Sequence, residues 1–151
     1  MDDFSAKPGS PNTYGLIGSF ANAIAPGKRP LSSMTPTILR RGDTVAVLGT
    51  PGGSRIISMV LLGTLAFADG SDDPADWVGV GRYHHQFWPD VVEYEPQGLT
   101  PAEMAGLERL GHTLKPVGRR YGNMQAIVWQ PASGRMRAAS DPRREGSAQV
   151  R

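Results

Sequence analysis

Cysteine is absent from the 151 residues, so disulfides, thiolate metal ligands and a cysteine nucleophile are all excluded. The sequence also lacks an uninterrupted apolar run of the roughly 18 residues that a transmembrane helix requires. Its most apolar stretch, residues 56–68, is interrupted by Ser58, Gly63 and Thr64. We therefore predict no membrane-spanning segment, and we expect residues 56–68 to form a buried element of a globular protein.

A strong charge of either sign is lacking too, because the formal net charge is only +2. The basic excess lies near the C-terminus, where no aromatic residues interleave with the arginines to stack on nucleic-acid bases. This pattern predicts a solvated, flexible tail over about residues 142–151 and no nucleic-acid partner. The arginines concerned are Arg135, Arg137, Arg143, Arg144 and Arg151.

The length fits a single domain that spans residues 1–151. The 19 glycines and 13 prolines favour many turns and argue against a long helical bundle or a coiled coil. The first 30 residues have no helical or strand period, yet they contain Phe4, Tyr14, Phe20 and other apolar side chains. We expect them to form an ordered loop packed against another part of the protein.

The clearest strand signal is a hairpin over residues 37–49, with Gly42 and Asp43 at the turn. Its second strand is almost entirely apolar, which predicts a central strand covered on both faces. Two glycines follow, and the apolar run after them predicts a buried helix with Ser54 as a candidate N-cap.

The second half of the chain carries further helix and strand signals. A helix is predicted to begin near Asp73 and Pro74, since proline favours early helical positions. Thr100 and Glu103 form a capping-box pattern that predicts another helix, ending at Gly111. Strands are predicted over residues 91–95, 114–117, 124–130 and 135–139. Together these elements predict an α+β fold.

The sharpest candidate for chemistry is the glycine pair Gly52 and Gly53, within the segment GTPGGSR between the predicted strand and helix. Side chains do not shield the backbone N–H groups of consecutive glycines. Helped by the helix dipole, these donors can hold a phosphate, a carboxylate or a developing oxyanion. A P-loop is excluded because its Lys-Ser/Thr pair is missing. A tight turn that simply requires glycine remains the alternative.

A second candidate is the serine pair Ser32 and Ser33, which follows Lys28 and Arg29 closely. Two hydroxyls beside two cations could bind a carboxylate through several hydrogen bonds. Hydrogen bonds between the hydroxyls and the local backbone are the alternative in such a loop.

The histidines do not predict a metal site. The side chains of the adjacent His84 and His85 point in different directions on a strand or a helix, and no carboxylate pair nearby completes a ligand set. We expect both to be structural, with the aromatic residues around them packed against a neighbouring element. His112, at the end of a predicted helix, is also expected to be structural.

Four segments, taken in order along the chain, resemble one family. They are MDDFSAKPG at residues 1–9, ANAI leading into PGKRPLSSMTPTI within residues 21–38, GTPGGSRII at residues 49–57 and ASDPR at residues 139–143. Residues 82–90 fit the same pattern, with HHQ at residues 84–86 and PD at residues 89–90. The chain therefore resembles the small subunit of the gamma-glutamyltransferases, also called gamma-glutamyltranspeptidases or glutathione hydrolases.

This resemblance implies a fold, an activity and a site. The fold is the four-layer αββα sandwich of the N-terminal-nucleophile hydrolases, of which this chain would form the small-subunit portion. The activity is γ-glutamyl transfer or hydrolysis, with glutathione as the donor and without a metal or an organic cofactor. By similarity, Asp3 holds the α-ammonium group of the substrate, and Ser32 and Ser33 bind its α-carboxylate. The N–H groups of Gly52 and Gly53 would form the oxyanion hole.

The catalytic threonine and the large subunit of the family lie outside the resemblance. The threonine would precede the segment that begins at Met1, and the mechanism needs the free α-amine of that same residue as a base. We therefore expect the N-terminally truncated C-terminal part of a small subunit, which is inactive alone and requires the large subunit and the missing N-terminal portion as partners. The family resemblance implies a periplasmic or extracellular location, although no signal peptide follows Met1.

Three other interpretations stay open. The chain could bind γ-glutamyl compounds without turnover, or it could be a non-catalytic subunit that complements a separately encoded fragment. It could also be a relative that acts on other amides, such as a cephalosporin acylase or a poly-γ-glutamate enzyme. The aspartate and the serine pair favour an amino-acid-like γ-glutamyl group as the ligand.

Overall fold

Two β-sheets and three α-helices form the regular structure of residues 3–150, the part of the chain that the computed structural model describes. The larger sheet is antiparallel, with the strand order β1-β2-β6-β7, and the smaller has the order β3-β4-β5. This arrangement confirms the predicted α+β fold. The elements are a 3-10 helix Phe20–Asn22, β1 Thr37–Arg41, β2 Thr44–Gly49, α1 Arg55–Ala68, α2 Pro74–Gly79, β3 Tyr83–His84, β4 Val92–Tyr94, α3 Pro101–Arg109, β5 Leu114–Pro116, β6 Gln125–Gln130 and β7 Arg135–Ser140.

The predicted hairpin is confirmed as β1 and β2, with β2 between β1 and β6 in the larger sheet. Only one face of β2 is covered, however. Ala46 and Leu48 are buried against the core, whereas Val47 on the opposite face is 42% exposed. The expectation that this strand is covered on both faces is therefore wrong for the described residues, because both α1 and α2 lie on the same side of the sheet.

The uncovered face of the larger sheet is strongly apolar. Cross-strand pairing aligns its side chains in two rows, and alternation along each strand keeps them away from the core. One row contains Ile38, Val47 and Ile127, and the other contains Val45, Trp129 and Met136. Apolar faces of this extent are normally packed against another layer.

Helix α1 packs on the covered face and forms the core with α2. Its residues Met59 and Phe67 are buried, and the Phe67 ring meets Trp77 of α2 edge to face at 5.3 Å. Helix α2 begins at Pro74, as the sequence predicts, and Asp73 caps it by accepting a hydrogen bond from the Ala75 N–H. Ser54 precedes α1, but its side chain makes no capping hydrogen bond.

The smaller sheet contains a parallel crossover. Strands β4 and β5 are parallel and are joined through α3, whereas the short β3, which the sequence analysis missed, pairs antiparallel to β4. The predicted capping box of α3 is confirmed: the Thr100 hydroxyl accepts from the Glu103 N–H, and the Glu103 carboxylate accepts from the Thr100 N–H.

Residues 3–36 contain little regular structure. Isolated bridges join Ser5 to Ala23 and Pro11 to Ile17. The ordered loop that the sequence predicts is packed only in part, because Phe20 is 83% exposed while Tyr14 contacts the turn that precedes α1.

The C-terminal arginines differ from the prediction of a solvated tail. Arg137 lies within β7, and its guanidinium donates to the backbone carbonyl of Asp72. The Arg143 side chain is only 1% exposed, because it forms ion pairs in the interior. Solvation is therefore the wrong expectation for Arg143, whereas Arg137 precedes the predicted tail and its side chain is partly exposed. The flexibility of residues 142–151 remains a prediction. No helix within the described part of the chain is long and apolar enough to cross a bilayer.

Candidate functional site

The turn between β2 and α1 carries the glycine pair. Gly52 has a φ of 153° and Gly53 a φ of 60°, in the region that favours glycine. Their carbonyls accept hydrogen bonds from the N–H groups of Arg55 and Ile56, at 3.3 and 3.1 Å. Among residues 3–150, no acceptor engages the N–H of either glycine. Both donors are therefore available at the start of the helix.

Two side chains enclose this turn. A Cβ atom placed on Gly53 would lie 2.3 Å from the Tyr14 ring, and one on Gly52 would lie 2.5 Å from the terminal methyl group of Met59. Space and φ both require glycine here, so the tight-turn alternative of the sequence analysis is confirmed. It does not compete with anion binding, because the same turn leaves the two N–H groups unpaired. No local pattern in the sequence indicates this role for Tyr14.

One open cavity brings the other predicted site residues together. Asp3, Ser32 and Ser33 line the same cavity of about 620 Å³, although about 30 residues separate the aspartate from the serines in the chain. The cavity wall also includes apolar side chains such as Phe4 and Leu31. A ligand with charged and apolar parts could contact both kinds of surface.

Asn22 holds the two halves of this cavity wall together. Its side-chain amide donates to the carbonyl of Asp3 at 2.5 Å and accepts from the N–H of Leu31 at 3.2 Å. Its own carbonyl accepts from the Ser5 N–H at 3.0 Å. Asn22 belongs to one of the family motifs, but nothing in the local sequence pattern reveals a contact across 19 residues.

The predicted cation-and-hydroxyl cluster is only partly assembled. The Ser32 hydroxyl accepts a hydrogen bond from the Met34 N–H at 3.1 Å, the local interaction that was the alternative prediction. Its own O–H group is still able to donate to a ligand. The Lys28 ammonium instead donates to the carbonyls of Ala21 and Ala23, at 2.6 and 3.3 Å, so it stabilises the neighbouring 3-10 helix.

The glycine pair does not line the large cavity in the described part of the chain, but the two features are adjacent. Thr13 lines the large cavity and also a smaller one of about 140 Å³, and Tyr14 lines the smaller one and contacts Gly53. The loop that contains Thr13 and Tyr14 therefore separates the cavity from the glycine turn.

His84 is buried, in agreement with the structural role that the sequence predicts, but the neighbouring Phe87 and Trp88 are 94% and 59% exposed and are not packed as expected. Its Nδ1 atom lies 2.8 Å from the Ser58 hydroxyl on α1, and its Nε2 atom lies 3.0 Å from the Gln86 Oε1 atom. His84 is only 6% exposed, and burial lowers its pKa below the ordinary value because the charged form loses hydration. The ring is therefore neutral around pH 7.

Acid is expected to destabilise the fold through His84. The pKa of histidine in an unfolded chain is about 6.5, and the pKa of folded His84 is lower. As the pH falls through about 6.5, the unfolded chain binds a proton that the folded chain does not, so the free energy of unfolding decreases until the folded pKa is passed. Urea unfolding at about pH 7.5 and about pH 5.5 measures this loss, which should be smaller in His84→Gln than in the wild type.

The matched control for this measurement is His112→Gln, which replaces an exposed histidine. If His112→Gln flattened the pH dependence of stability as much as His84→Gln does, the assignment of the effect to His84 would be wrong.

A buried ionic cluster beneath the site was missed by the sequence analysis. Arg82 pairs with Asp141 at 2.5 Å, and Arg143 pairs with both Asp141 and Glu95. All four side chains are at most 1% exposed. Burial raises the pKa of Asp141, but hydrogen bonds from two backbone N–H groups and from Arg82 outweigh it and hold that pKa below its ordinary value. No short-range pattern signals this cluster, because 59 residues separate Arg82 from Asp141.

The cluster fixes the backbone next to the glycine turn. Arg82 donates to the carbonyl of Tyr121, and Asp141 accepts from the Met124 N–H at 2.8 Å. Between these two points, the Asn123 N–H donates to the Thr50 hydroxyl at 3.2 Å. The ionic cluster is therefore linked to the segment that leads into the glycine turn.

The remaining histidines form no metal centre among residues 3–150, where no group of three metal-ligating side chains occurs. His85 instead contacts the Asp90 carboxylate at 2.8 Å and packs edge to face against the His112 ring.

Comparison with known proteins agrees with the resemblance seen in the sequence. The sequence model of the Gamma-glutamyltranspeptidase family matches residues 1–150. The glutathione hydrolase proenzyme of Escherichia coli K12 is 46% identical over 144 residues, which is 95% of this chain and 24% of that protein. The chain thus spans about a quarter of the length of this protein and of two similar glutathione hydrolase proenzymes from Pseudomonas.

Solved structures of the family share the fold. Gamma-glutamyltranspeptidase from Pseudomonas nitroreducens, complexed with L-DON, is 42% identical and has a TM-score of 0.84, covering 99% of this chain and 78% of that one. A mutant gamma-glutamyltranspeptidase from Helicobacter pylori is 40% identical with a TM-score of 0.87, covering 95% of this chain and 78% of that one. The predicted N-terminal-nucleophile hydrolase fold is thereby confirmed. A family match over nearly the whole chain, together with this backbone agreement, shows that the chain belongs to the gamma-glutamyltranspeptidase family.

Proposed function

We propose that this chain supplies the substrate-binding and oxyanion-stabilising parts of an enzyme that transfers γ-glutamyl groups from glutathione and related amides to water or to an amine. The observation that carries the proposal is the shared cavity: Asp3, Ser32 and Ser33 line it together. The glycine turn, whose two N–H donors meet no acceptor among residues 3–150, lies next to this cavity, across the loop that contains Thr13 and Tyr14.

In the proposed binding mode, the cavity recognises the two charged groups at the amino-acid end of the donor. The Asp3 carboxylate accepts hydrogen bonds from the α-ammonium group, and the Ser32 and Ser33 hydroxyls donate to the α-carboxylate. Charge-assisted hydrogen bonds of this kind are about twice as strong as neutral ones. They would fix the glutamyl group in one orientation, with its γ-carbonyl directed away from them.

The N–H groups of Gly52 and Gly53 stabilise the reaction in this proposal. When a nucleophile attacks the γ-carbonyl carbon, negative charge develops on the carbonyl oxygen. Two preorganised N–H donors at a helix start would bind this oxyanion more strongly than the neutral ground-state oxygen. The absence of a competing acceptor among residues 3–150 supports this role.

The nucleophile in this proposal is a threonine with a free α-amine. The family motifs of this chain do not include that threonine. The α-amine accepts the hydroxyl proton as the hydroxyl oxygen attacks the γ-carbonyl carbon. The resulting α-ammonium then passes this proton to the donor nitrogen as the C–N bond breaks, so the donor leaves as an amine. Water or an acceptor amine then releases the γ-glutamyl group from the ester. We therefore propose that the isolated chain is inactive and that it works with the large subunit and the catalytic-threonine segment. The uncovered apolar face of the larger sheet supports such a partner layer, and no cofactor is required.

A binding measurement tests the proposed site directly. Calorimetric titration with millimolar L-glutamate and glutathione should show binding by the wild type. Asp3→Ala should weaken it about 10- to 100-fold, because a hydrogen bond to a charged group contributes about 1.5–3 kcal/mol. Asp69→Ala is the matched control, since Asp69 is exposed at the end of α1. Equal affinity of the two variants would contradict the role of Asp3.

A turnover assay distinguishes the proposed enzyme component from a protein that only binds γ-glutamyl compounds, which is the second function that the cavity favours. A γ-glutamyl anilide should release no product with this chain alone. Release should appear when the chain is combined with a polypeptide that carries the large subunit and the catalytic threonine. Binding without turnover in every combination would instead assign the chain to a γ-glutamyl-binding function.

A further inference from the structure

A chain of hydrogen bonds runs from helix α1 to the loop that encloses the glycine turn. The Ser58 hydroxyl lies 2.8 Å from His84 Nδ1, and His84 Nε2 lies 3.0 Å from Gln86 Oε1. The Gln86 amide nitrogen then donates to the Tyr14 carbonyl at 3.1 Å and to the Trp88 carbonyl at 2.8 Å. We propose that Gln86 is a positioning residue that, held by His84, keeps Tyr14 against Gly53 and so fixes the direction of the glycine N–H groups. This inference rests on the proposed function of those groups as an oxyanion hole.

The donors and acceptors along this chain assign one tautomer to His84. Both acceptors of the Gln86 nitrogen are carbonyls, so that atom must be the NH₂ group and Oε1 must face the imidazole. An Oε1 acceptor requires a proton on His84 Nε2. Nδ1 is then unprotonated and accepts from the Ser58 hydroxyl. Every polar group in this series has a complementary partner, and His84 is buried at 6% exposure, which favours a single arrangement.

Hydrogen bonds within the loop that contains Tyr14 hold its residues together. A contact that restrains one of these residues therefore restrains the whole loop. The Asn12 side chain accepts from the N–H groups of Tyr14 and Leu16, at 2.9 and 3.0 Å, and the Asn12 N–H donates to the Leu16 carbonyl. The Gln86 contact joins this closed loop to the body of the protein across 72 residues of sequence.

Displacement of the loop would reach the glycine pair directly. The Tyr14 ring occupies the space where a Cβ atom of Gly53 would lie. Gly53 has a φ of 60° and can adopt many backbone conformations when that ring is removed. Because an oxyanion hole depends on fixed N–H directions, a loosened glycine would stabilise the transition state less.

Solution NMR of the 151-residue chain tests this positioning without relying on activity. The Tyr14 ring should shift the Gly53 α-proton resonances upfield relative to Tyr14→Leu, which sets the baseline. Gln86→Met removes both hydrogen-bonding groups at similar length and should lose most of that upfield shift. Gln130→Met, the same substitution at the end of β6, is the matched control and should retain it. Full retention of the shift in Gln86→Met would overturn the proposal.

Two measurements on the wild type keep the test decisive if Gln86→Met does not fold. The imidazole ¹⁵N shifts should show the Nε2–H tautomer of His84, and a hydrogen-bond scalar coupling should join Gln86 Nε2 to the Tyr14 carbonyl carbon. A Nδ1–H tautomer, or the absence of that coupling, would overturn the proposal. Titration with L-glutamate tests the proposed function separately: shifts at Ser32 and Ser33 report ligand binding, whereas the Gly53 shift in unliganded protein reports positioning alone.

Discussion

Asp141→Asn is expected to cost about 3–5 kcal/mol of the free energy of unfolding, the range found when one partner of a buried ion pair is removed. Asp141, Glu95, Arg82 and Arg143 balance two negative charges against two positive ones in a site that excludes water. Neutralising Asp141 leaves one uncompensated positive charge there. Native domains are stable by only about 5–15 kcal/mol, so the variant should be close to unfolding.

Urea denaturation of the purified chain measures this effect, with Asp72→Asn as the matched control. Asp72 pairs with Arg41 at the surface, where its side chain is 46% exposed, and such pairs contribute about 0–1 kcal/mol. The double variant Arg82→Met, Asp141→Asn removes one charge of each sign and should recover part of the loss. An Asp141→Asn variant no less stable than Asp72→Asn would show that the cluster does not support the fold.

Gly53→Ala is expected to damage the proposed oxyanion hole through two separate effects. A φ of 60° costs a residue with a side chain about 1–2 kcal/mol. In addition, the new Cβ atom would lie 2.3 Å from the Tyr14 ring, so either the ring or the turn must move. In the enzyme assembled with its catalytic threonine, γ-glutamyl anilide turnover should fall by about 10²–10³-fold, the size of the effect when one oxyanion donor is lost.

Gly134→Ala separates backbone strain from displacement of the Tyr14 loop. Gly134 has a φ of 68°, nearly that of Gly53, but no atom lies within 4 Å of its added Cβ. Both variants should lose similar stability from the backbone, whereas only Gly53→Ala should lose turnover. Equal turnover in the two variants would contradict a catalytic role for the glycine turn.

The elements that the sequence predicted correctly are those encoded within a few residues. The capping box at Thr100, the proline start of α2 at Pro74 and the hairpin turn at Gly42 each depend on neighbours in the chain. Propensity and period are local properties, so these elements can be identified without knowing what packs on them. The coverage of β2 was predicted wrongly because an apolar strand does not specify which layer covers each face.

The same distinction between local and long-range contacts applies to the residues of the candidate site. Gly52 and Gly53 were found from sequence because adjacent glycines before an apolar run are a local signal. The serine pair was a carboxylate-binding candidate from its own residues, whereas the role of Asp3 came from family resemblance alone. Only the folded chain brings Asp3 and the serine pair to one cavity. Asn22 and Gln86 were given no role, because their contacts cross 19 and 72 residues of sequence.

The amino-acid sequence by itself determined the family, most helices and strands, and the glycine turn with its two available donors. The tertiary structure alone decided that Tyr14 lies against Gly53 and that four charges are buried together behind the turn. The physical reason is distance along the chain. Turn and capping interactions act between residues a few positions apart, whereas ion pairs in the core depend on the packing of elements that folding brings together.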